Sequence, residues 1–172
     1  NIDAPLKRDQ EFAEAQVIAM KDALTGVKNR RAYAKAEKEI NATIAEQMAS
    51  DFAVVECNVV GVEELLDAGD IDVANRMVAQ ACELICDVFR HSPVYRLGND
   101  QFTVILRDRD LRHQDALLEV FANAEAKHVK AGGAPIAIGI SRFDPASDRT
   151  LGNVQERAGV AAYEKKLKLK KE

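Results

Sequence analysis

Cys82 and Cys86, four residues apart with His91 close behind, have the spacing of side chains that share one helix face. Thiolate and imidazole suit zinc, but a structural zinc site wants four ligands, and no second pair occurs. Small buried apolar residues are the better reading of the two cysteines. His113 and His128 stand at the two ends of a helical segment without a visible partner. Neither G-x-x-x-x-G-K-S/T nor G-x-G-x-x-G is present, so the common phosphate-cradling loops are excluded. The lysine-rich stretch Lys165–Lys171 closes a helical segment. Lysines there complement the helix dipole, and the plain reading of them is solvated charge.

The elements that must position such groups follow from periodicity. Pro5–Leu24 reads as a helix, with Ala13, Val17, Met20 and Leu24 recurring at steps of four, three and four. The stripe covers fewer than two heptads. It fits a helix packed on its own domain or the end of a longer signalling helix, and it predicts weak dimerisation. After Thr25-Gly26, a helix over Asn29–Met48 has Tyr33, Ala36, Ile40 and Ile44 on its buried face. Phe52–Cys57 is a valine-rich buried strand, and residues 58–70 are irregular. A helix over Ile71–Arg90 carries the stripe Met77, Ala81, Leu84 and Val88. Strands Val94–Leu97 and Phe102–Leu106 flank Gly98-Asn99-Asp100-Gln101, whose Gly and Asn tolerate the positive φ of tight hairpin turns. His113–Lys130 is helical, Pro135–Ile140 a strand, and Leu151–Lys166 a helix with Val154, Ala158 and Ala161 or Ala162 inward. Strands alternating with helices around one hairpin indicate an α/β sandwich, helices covering a mixed sheet.

Composition bounds the rest. A chain of 172 residues makes one domain. A formal charge of −4 argues against broad nucleic-acid binding. No apolar run is long enough for a membrane helix. The first ten residues are charged and lack the apolar core of a signal peptide. Three cysteines without a framework spacing suggest a reducing, cytoplasmic setting.

Three stretches carry more information together than singly: Asp22-Ala23-Leu24-Thr25-Gly26-Val27-Lys28-Asn29-Arg30-Arg31; Arg96-Leu97-Gly98-Asn99-Asp100-Gln101-Phe102; and Ala137-Ile138-Gly139 followed by Ala158-Gly159-Val160-Ala161-Ala162-Tyr163-Glu164-Lys165-Lys166. They resemble, in order, the D-x-L-T-G-L-x-N-R-R, R-x-G-G-D-E-F and S-x-G…A-D-x-A-M-Y-x-A-K motifs of GGDEF domains, the diguanylate cyclase family. The resemblance implies a ferredoxin-like, nucleotide-cyclase-like central sheet with a GGDEF-type hairpin. It divides the chain into a signalling or linker helix over 1–21, joined to an upstream sensor, and a GGDEF-like domain over 22–172. Family members condense two GTP molecules into cyclic di-GMP, one GTP per domain, so activity requires a homodimer.

Attack of a ribose hydroxyl on an α-phosphorus needs positioning and charge neutralisation, supplied in the family by two Mg²⁺ ions, for which Mn²⁺ can substitute. The resemblance places the metal carboxylates at Glu56 and Asp100 and a carbonyl ligand at Cys57. The plain alternative is that both acids merely stand at strand ends. The fourth signature residue, normally Glu, is Gln101, whose amide neither acts as a base nor carries charge. Gly98 is kept, but the second signature Gly is Asn99, which narrows the nucleotide's path. Along Glu56–Leu65 the family pattern D-x-D/N-x-F/L-K-x-x-N-D retains Asn58. Its phosphate-facing Lys falls on Gly61 and its guanine-reading Asn on Glu64. A second guanine reader falls on Asn75, with Asp70 and Asp72 as alternatives. Lys166 aligns with the phosphate-binding Lys and Lys170 with a second basic contact. The inhibitory R-x-x-D falls on Phe89 and Ser92, so feedback by that route is not expected. These departures favour a degenerate domain with a regulatory, dimerising or nucleotide-sensing role and little or no cyclase activity. The alternatives are an active cyclase and a related domain for another nucleotide.

Overall fold

Strand β1 (Ala53–Val59) is buried at every position but Asn58 because it runs through the centre of the sheet. It pairs with β3 (Gln101–Leu106) on one side and β4 (Ile136–Arg142) on the other, and β2 (Val94–Arg96) lies beyond β3, giving the order β2-β3-β1-β4. The computed structural model describes residues 3–171. Its helices are α1 (Asp3–Ala19), α2 (Arg30–Ala45), α3 (Val62–Asp67), α4 (Ile71–Val88), α5 (Asp108–Arg112), α6 (Gln114–Lys130) and α7 (Leu151–Lys171). The chain leaves β1, crosses over through α3 and α4, and returns in β2, parallel to β1 but one place removed. The hairpin then inserts β3 between them. This is the split β-α-β arrangement of ferredoxin-like folds. It makes every strand pair antiparallel, which corrects the expected mixed sheet. Among the described residues the one parallel contact is the isolated bridge Lys28–Tyr95.

Alternation along β1 divides two cores. Ala53, Val55, Cys57 and Val59 pack with Val78, Ile85, Phe89 and Phe121 under α4 and α6. Val54 faces the other way, with Tyr33, Ile40, Ile44, Val154 and Ala158 of α2 and α7. Asn29 caps α2, its side chain accepting from the Ala32 amide at 3.1 Å.

The differences from the sequence reading have local causes. The first helix ends at Ala19, so Met20 and Leu24 of the expected stripe lie beyond it, and Leu24 sits in a turn. The side chain of Val17 is outside the described residues. The chain breaks there because Asp22 accepts from the Thr25 amide at 2.9 Å and hydroxyl at 2.7 Å, a local turn that competes with helix. The short helices α3 and α5 escape periodicity because six and five residues cannot display a repeat. Helix α4 buries Ala74, Val78, Ala81, Cys82, Ile85 and Val88, while Met77 and Leu84 are only partly covered. So much of this helix is apolar that two stripes were available. In the hairpin neither Gly98 nor Asn99 has a positive φ. Four residues, Leu97–Asp100, make the turn, so the constraint of a two-residue turn does not apply.

Gly139 fixes the distance between α7 and the sheet. A Cβ there would overlap the carbonyl oxygen of Ala158 and the amide nitrogen of Ala162, both backbone atoms of α7. The helix therefore lies directly on β4 and β1. Gly139→Ala should lower stability by about 2–3 kcal/mol in urea unfolding, as overpacking against backbone does.

Candidate functional site

Cross-strand register places Thr103 and Gly139 opposite Glu56, and Gln101 opposite Asn58. Residues opposite one another share a face, so Glu56, Gln101 and Thr103 converge beneath α7. The Glu56 carboxylate is 1% exposed. Its Oε1 accepts from the Thr103 hydroxyl and from Gln155 Nε2 at 3.2 Å, and its Oε2 accepts from Gln101 Nε2 at 2.8 Å. Gln155 in turn accepts from the Tyr33 hydroxyl at 2.8 Å. The network joins α2, α7, β1 and β3. Burial pushes the Glu56 carboxyl up, and the three donors pull against that rise. Sequence reasoning placed Tyr33 on a buried face but gave it no role, and it missed Thr103 and Gln155. The signal for Thr103 was a polar side chain inside an otherwise apolar strand.

Asp100 is 9% exposed, and its Oδ2 lies 3.6 Å from Lys166 Nζ. One turn further along α7, Lys170 Nζ donates to Glu64 Oε1 of α3 at 2.8 Å. Hydrogen bonding to Lys170 holds the Glu64 carboxyl below its usual range, and the same bond lifts the Lys170 ammonium. The structure thus brings Glu56, Gln101, Asp100 and Lys166 into one region and links Lys170 with Glu64. Asn58 is partly buried at the end of the β1–β3 ladder. Asn75 stands near the start of α4. Among the described residues no hydrogen bond or ion pair ties it to Glu56, Asp100 or Lys166. Gly61 opens α3 with φ +98°, a conformation that lysine there would strain.

These residues do not fit a Mg²⁺ or Mn²⁺ pair. Magnesium keeps several waters and needs free carboxylate oxygens in near-octahedral array. Here both Glu56 oxygens already accept side-chain donors, and Asp100 faces an ammonium. Cys57 lies where β1 is paired on both sides, which leaves its carbonyl inside the ladder. Its thiol faces the opposite core, and burial drives it up. Among the described residues no three His, Cys, Asp or Glu side chains cluster as metal ligands.

The hairpin above this network is held by its carbonyls. Arg96 Nε donates to Gly98 O at 3.1 Å and Nη2 to Asn99 O at 3.0 Å, while Arg30 Nε donates to Leu97 O at 2.7 Å. Arg96 Nη1 reaches both oxygens of Asp22, at 3.2 and 3.3 Å. At the positions of the expected inhibitory motif, Phe89 is buried and stacks on Phe121, and the Ser92 hydroxyl donates to Asp110.

Burial raises the Asp22 carboxyl, but the Thr25 hydroxyl and amide and the Arg96 guanidinium outweigh it, so it lies below the ordinary 3.8. A lowered carboxylate contributes stability above its unfolded pKa and loses it as pH falls through the folded one. Asp22→Asn should therefore cost about 1–2 kcal/mol at pH 7, with the difference from the parent vanishing in acid below the folded-state pKa, as read by urea unfolding across pH.

The family model described as diguanylate cyclase, GGDEF domain, matches residues 19–172. No curated protein matches the chain in sequence. Among solved structures the chain is similar to the FimX GGDEF domain of Pseudomonas aeruginosa, at 16% identity and TM-score 0.72, covering 87% of this chain and 94% of that one. It is similar to the coiled coil and GGDEF domain of DgcB from Caulobacter crescentus in complex with c-di-GMP, at 18% identity and TM-score 0.73, covering 93% and 87%. It is also similar to the diguanylate cyclase SiaD of Pseudomonas aeruginosa in complex with its activator SiaC, at 19% identity and TM-score 0.73, covering 95% and 64%. At such identities the likeness speaks for the fold.

Proposed function

The chain belongs to the family of diguanylate cyclase GGDEF domains, and from that premise we propose that it is a degenerate member with little or no cyclase activity. Its role is regulatory, dimerising or nucleotide-sensing, within cyclic-di-GMP-type signalling in the cytoplasm. It follows an upstream sensor joined through the N-terminal helix. Among the described residues no helix is long and apolar enough to cross a membrane.

One observation carries this reading. The carboxylate that would hold a catalytic cation is buried and satisfied by Gln101, Thr103 and Gln155. A buried carboxylate with its donors in place has no need of a cation, and Gln101 supplies no base. The basic groups are engaged as well, Lys166 by Asp100 and Lys170 by Glu64. A nucleotide phosphate reaching them must displace carboxylates. The base-reading position holds Glu64, so GTP recognition is weakened at both ends. The surviving Asp100–Lys166 pair beside the hairpin favours the second reading, an active cyclase in which phosphate and metal exchange for these internal partners.

Incubating the full chain with GTP and Mg²⁺ or Mn²⁺, at concentrations where sedimentation shows its weak dimer, should give no cyclic di-GMP above background. Gln101→Glu alone should rescue little. Adding Asn99→Gly, Gly61→Lys and Glu64→Asn should do more than the sum of single changes, since residues acting as a unit are not additive. Gly61→Lys should itself cost about 1–2 kcal/mol of stability because of its left-handed backbone. Robust turnover by the unmodified dimer would overturn the degenerate reading. GTP binding by calorimetry without turnover would assign the sensing role.

A further inference from the structure

The two cysteines set aside as a metal site occupy a distinctive place. Cys82 and Cys86 lie one turn apart on α4 with their sulfurs 4.0 Å from each other. Cys82 is buried, and Cys86 is half-buried and lines a cavity of about 720 Å³. Lys21, Lys28, Lys35 and Arg90 also line this cavity, and among the described residues no carboxylate does. Reactive cysteines are partly exposed and have a partner that favours the thiolate, whereas buried structural cysteines are inert. Cys57, fully buried in the core, is the internal example of the inert kind.

We infer that Cys86 is an oxidisable nucleophilic thiol, reached by hydroperoxides through this cavity, with Cys82 as its resolving partner. The Cys86 thiolate attacks one peroxide oxygen, the O–O bond breaks, and water or an alcohol leaves once a proton is taken up. Cys86 is now a sulfenic acid. The Cys82 sulfur then attacks the Cys86 sulfur, the S–O bond breaks, water leaves and the disulfide forms. Two electrons and two hydrogens pass from the dithiol to the peroxide. Hydrogen bonding from the Cys82 S–H holds the Cys86 thiol below its ordinary range, while the same pairing drives Cys82 up, which separates the nucleophile from the resolver. Burial, and then the Asp87 carboxylate next in sequence, oppose the effect on Cys86 without reversing it.

The product is reversible by construction. Side chains four apart on a helix have Cβ atoms roughly 5–6 Å apart, and a disulfide wants about 3.8 Å. Helix α4 must tighten locally, and strained disulfides are the easily reduced ones. Thr25 lies beside Cys82, and Thr25 also donates to the Asp22 carboxylate that holds Arg96. Closing the bond therefore bears on the joint between α1 and the hairpin.

The test uses the folded full chain. Alkylation with N-ethylmaleimide should modify Cys86 roughly ten-fold or more faster than Cys57. After hydrogen peroxide and quenching, the tryptic peptide Met77–Arg90, which holds both cysteines, should be lighter by two hydrogens and unalkylated, and dithiothreitol should restore it. Cys82→Ala should abolish that loss, leave a dimedone-trappable sulfenic acid at Cys86 and slow its alkylation several-fold. Equal alkylation of Cys86 and Cys57 would overturn the inference, as would peroxide products confined to sulfinic acid or to disulfides between chains. The alkylation and peptide measurements on the parent need no variant to fold.

Discussion

A carboxylate buried in the middle of a sheet must find hydrogen-bond donors, and the way Glu56 finds them organises the region around it. Removing such a group from water costs several kcal/mol. Hydrogen bonds to a charged acceptor contribute about 1.5–3 kcal/mol each, so three together offset much of that cost. The three come from separate elements: Gln101 and Thr103 from β3, Gln155 from α7. Gln155 is in turn held by Tyr33 of α2. Each donor requires its element at a set height over β1, and Gly139 allows α7 to descend to that height. The glycine and the acid thus belong to one arrangement. The close helix–sheet contact excludes water from Glu56, and the polar side chains beneath the helix make that exclusion bearable.

The hairpin obeys a different rule. Its shape rests on three loop carbonyls gripped by two arginines, with Arg96 itself seated on Asp22. Backbone carbonyls are present whatever the side chain. The turn uses no positive φ, so it accommodates Asn99. The loop's geometry and its chemistry are therefore separable: the arginines keep the first while the side chains that give the second change.

The charges around the site balance internally. Lys166 serves Asp100 and Lys170 serves Glu64, so the last turns of α7 are tied to the hairpin and to α3. The Lys170–Glu64 pair is at the surface, where such a bridge contributes little to stability. Its consequence is positional: Lys166 and Lys170 are each held by a carboxylate of the same chain. Cys86, by contrast, faces a cavity whose lining includes Lys21, Lys28, Lys35 and Arg90.

Much of this was legible in the sequence. Periodicity and turn formers located all four strands and the five longer helices, because each is long enough to show a pattern between its breaks. The motifs placed Glu56, Asp100, Gln101 and Lys166 near one another, since their spacing along consecutive elements survives whatever the details of packing. What lay beyond reach depended on distances between elements. The helix ending at Ala19 was decided by an Asp22 side chain that bonds its own turn and Arg96 from across the fold. The satisfaction of Glu56 required Gln155 to lie over it, ninety-nine residues away in sequence. The sulfur separation at Cys82 and Cys86 could be guessed from helical spacing, but the cationic cavity beside them could not. It is assembled from α1, α2, α4 and the segments between, and only the folded chain brings those surfaces together. Sequence thus determined which side chains were available and on which elements. Tertiary structure decided which of them were buried and what each one met, because burial and hydrogen bonding are properties of pairs of elements rather than of any one.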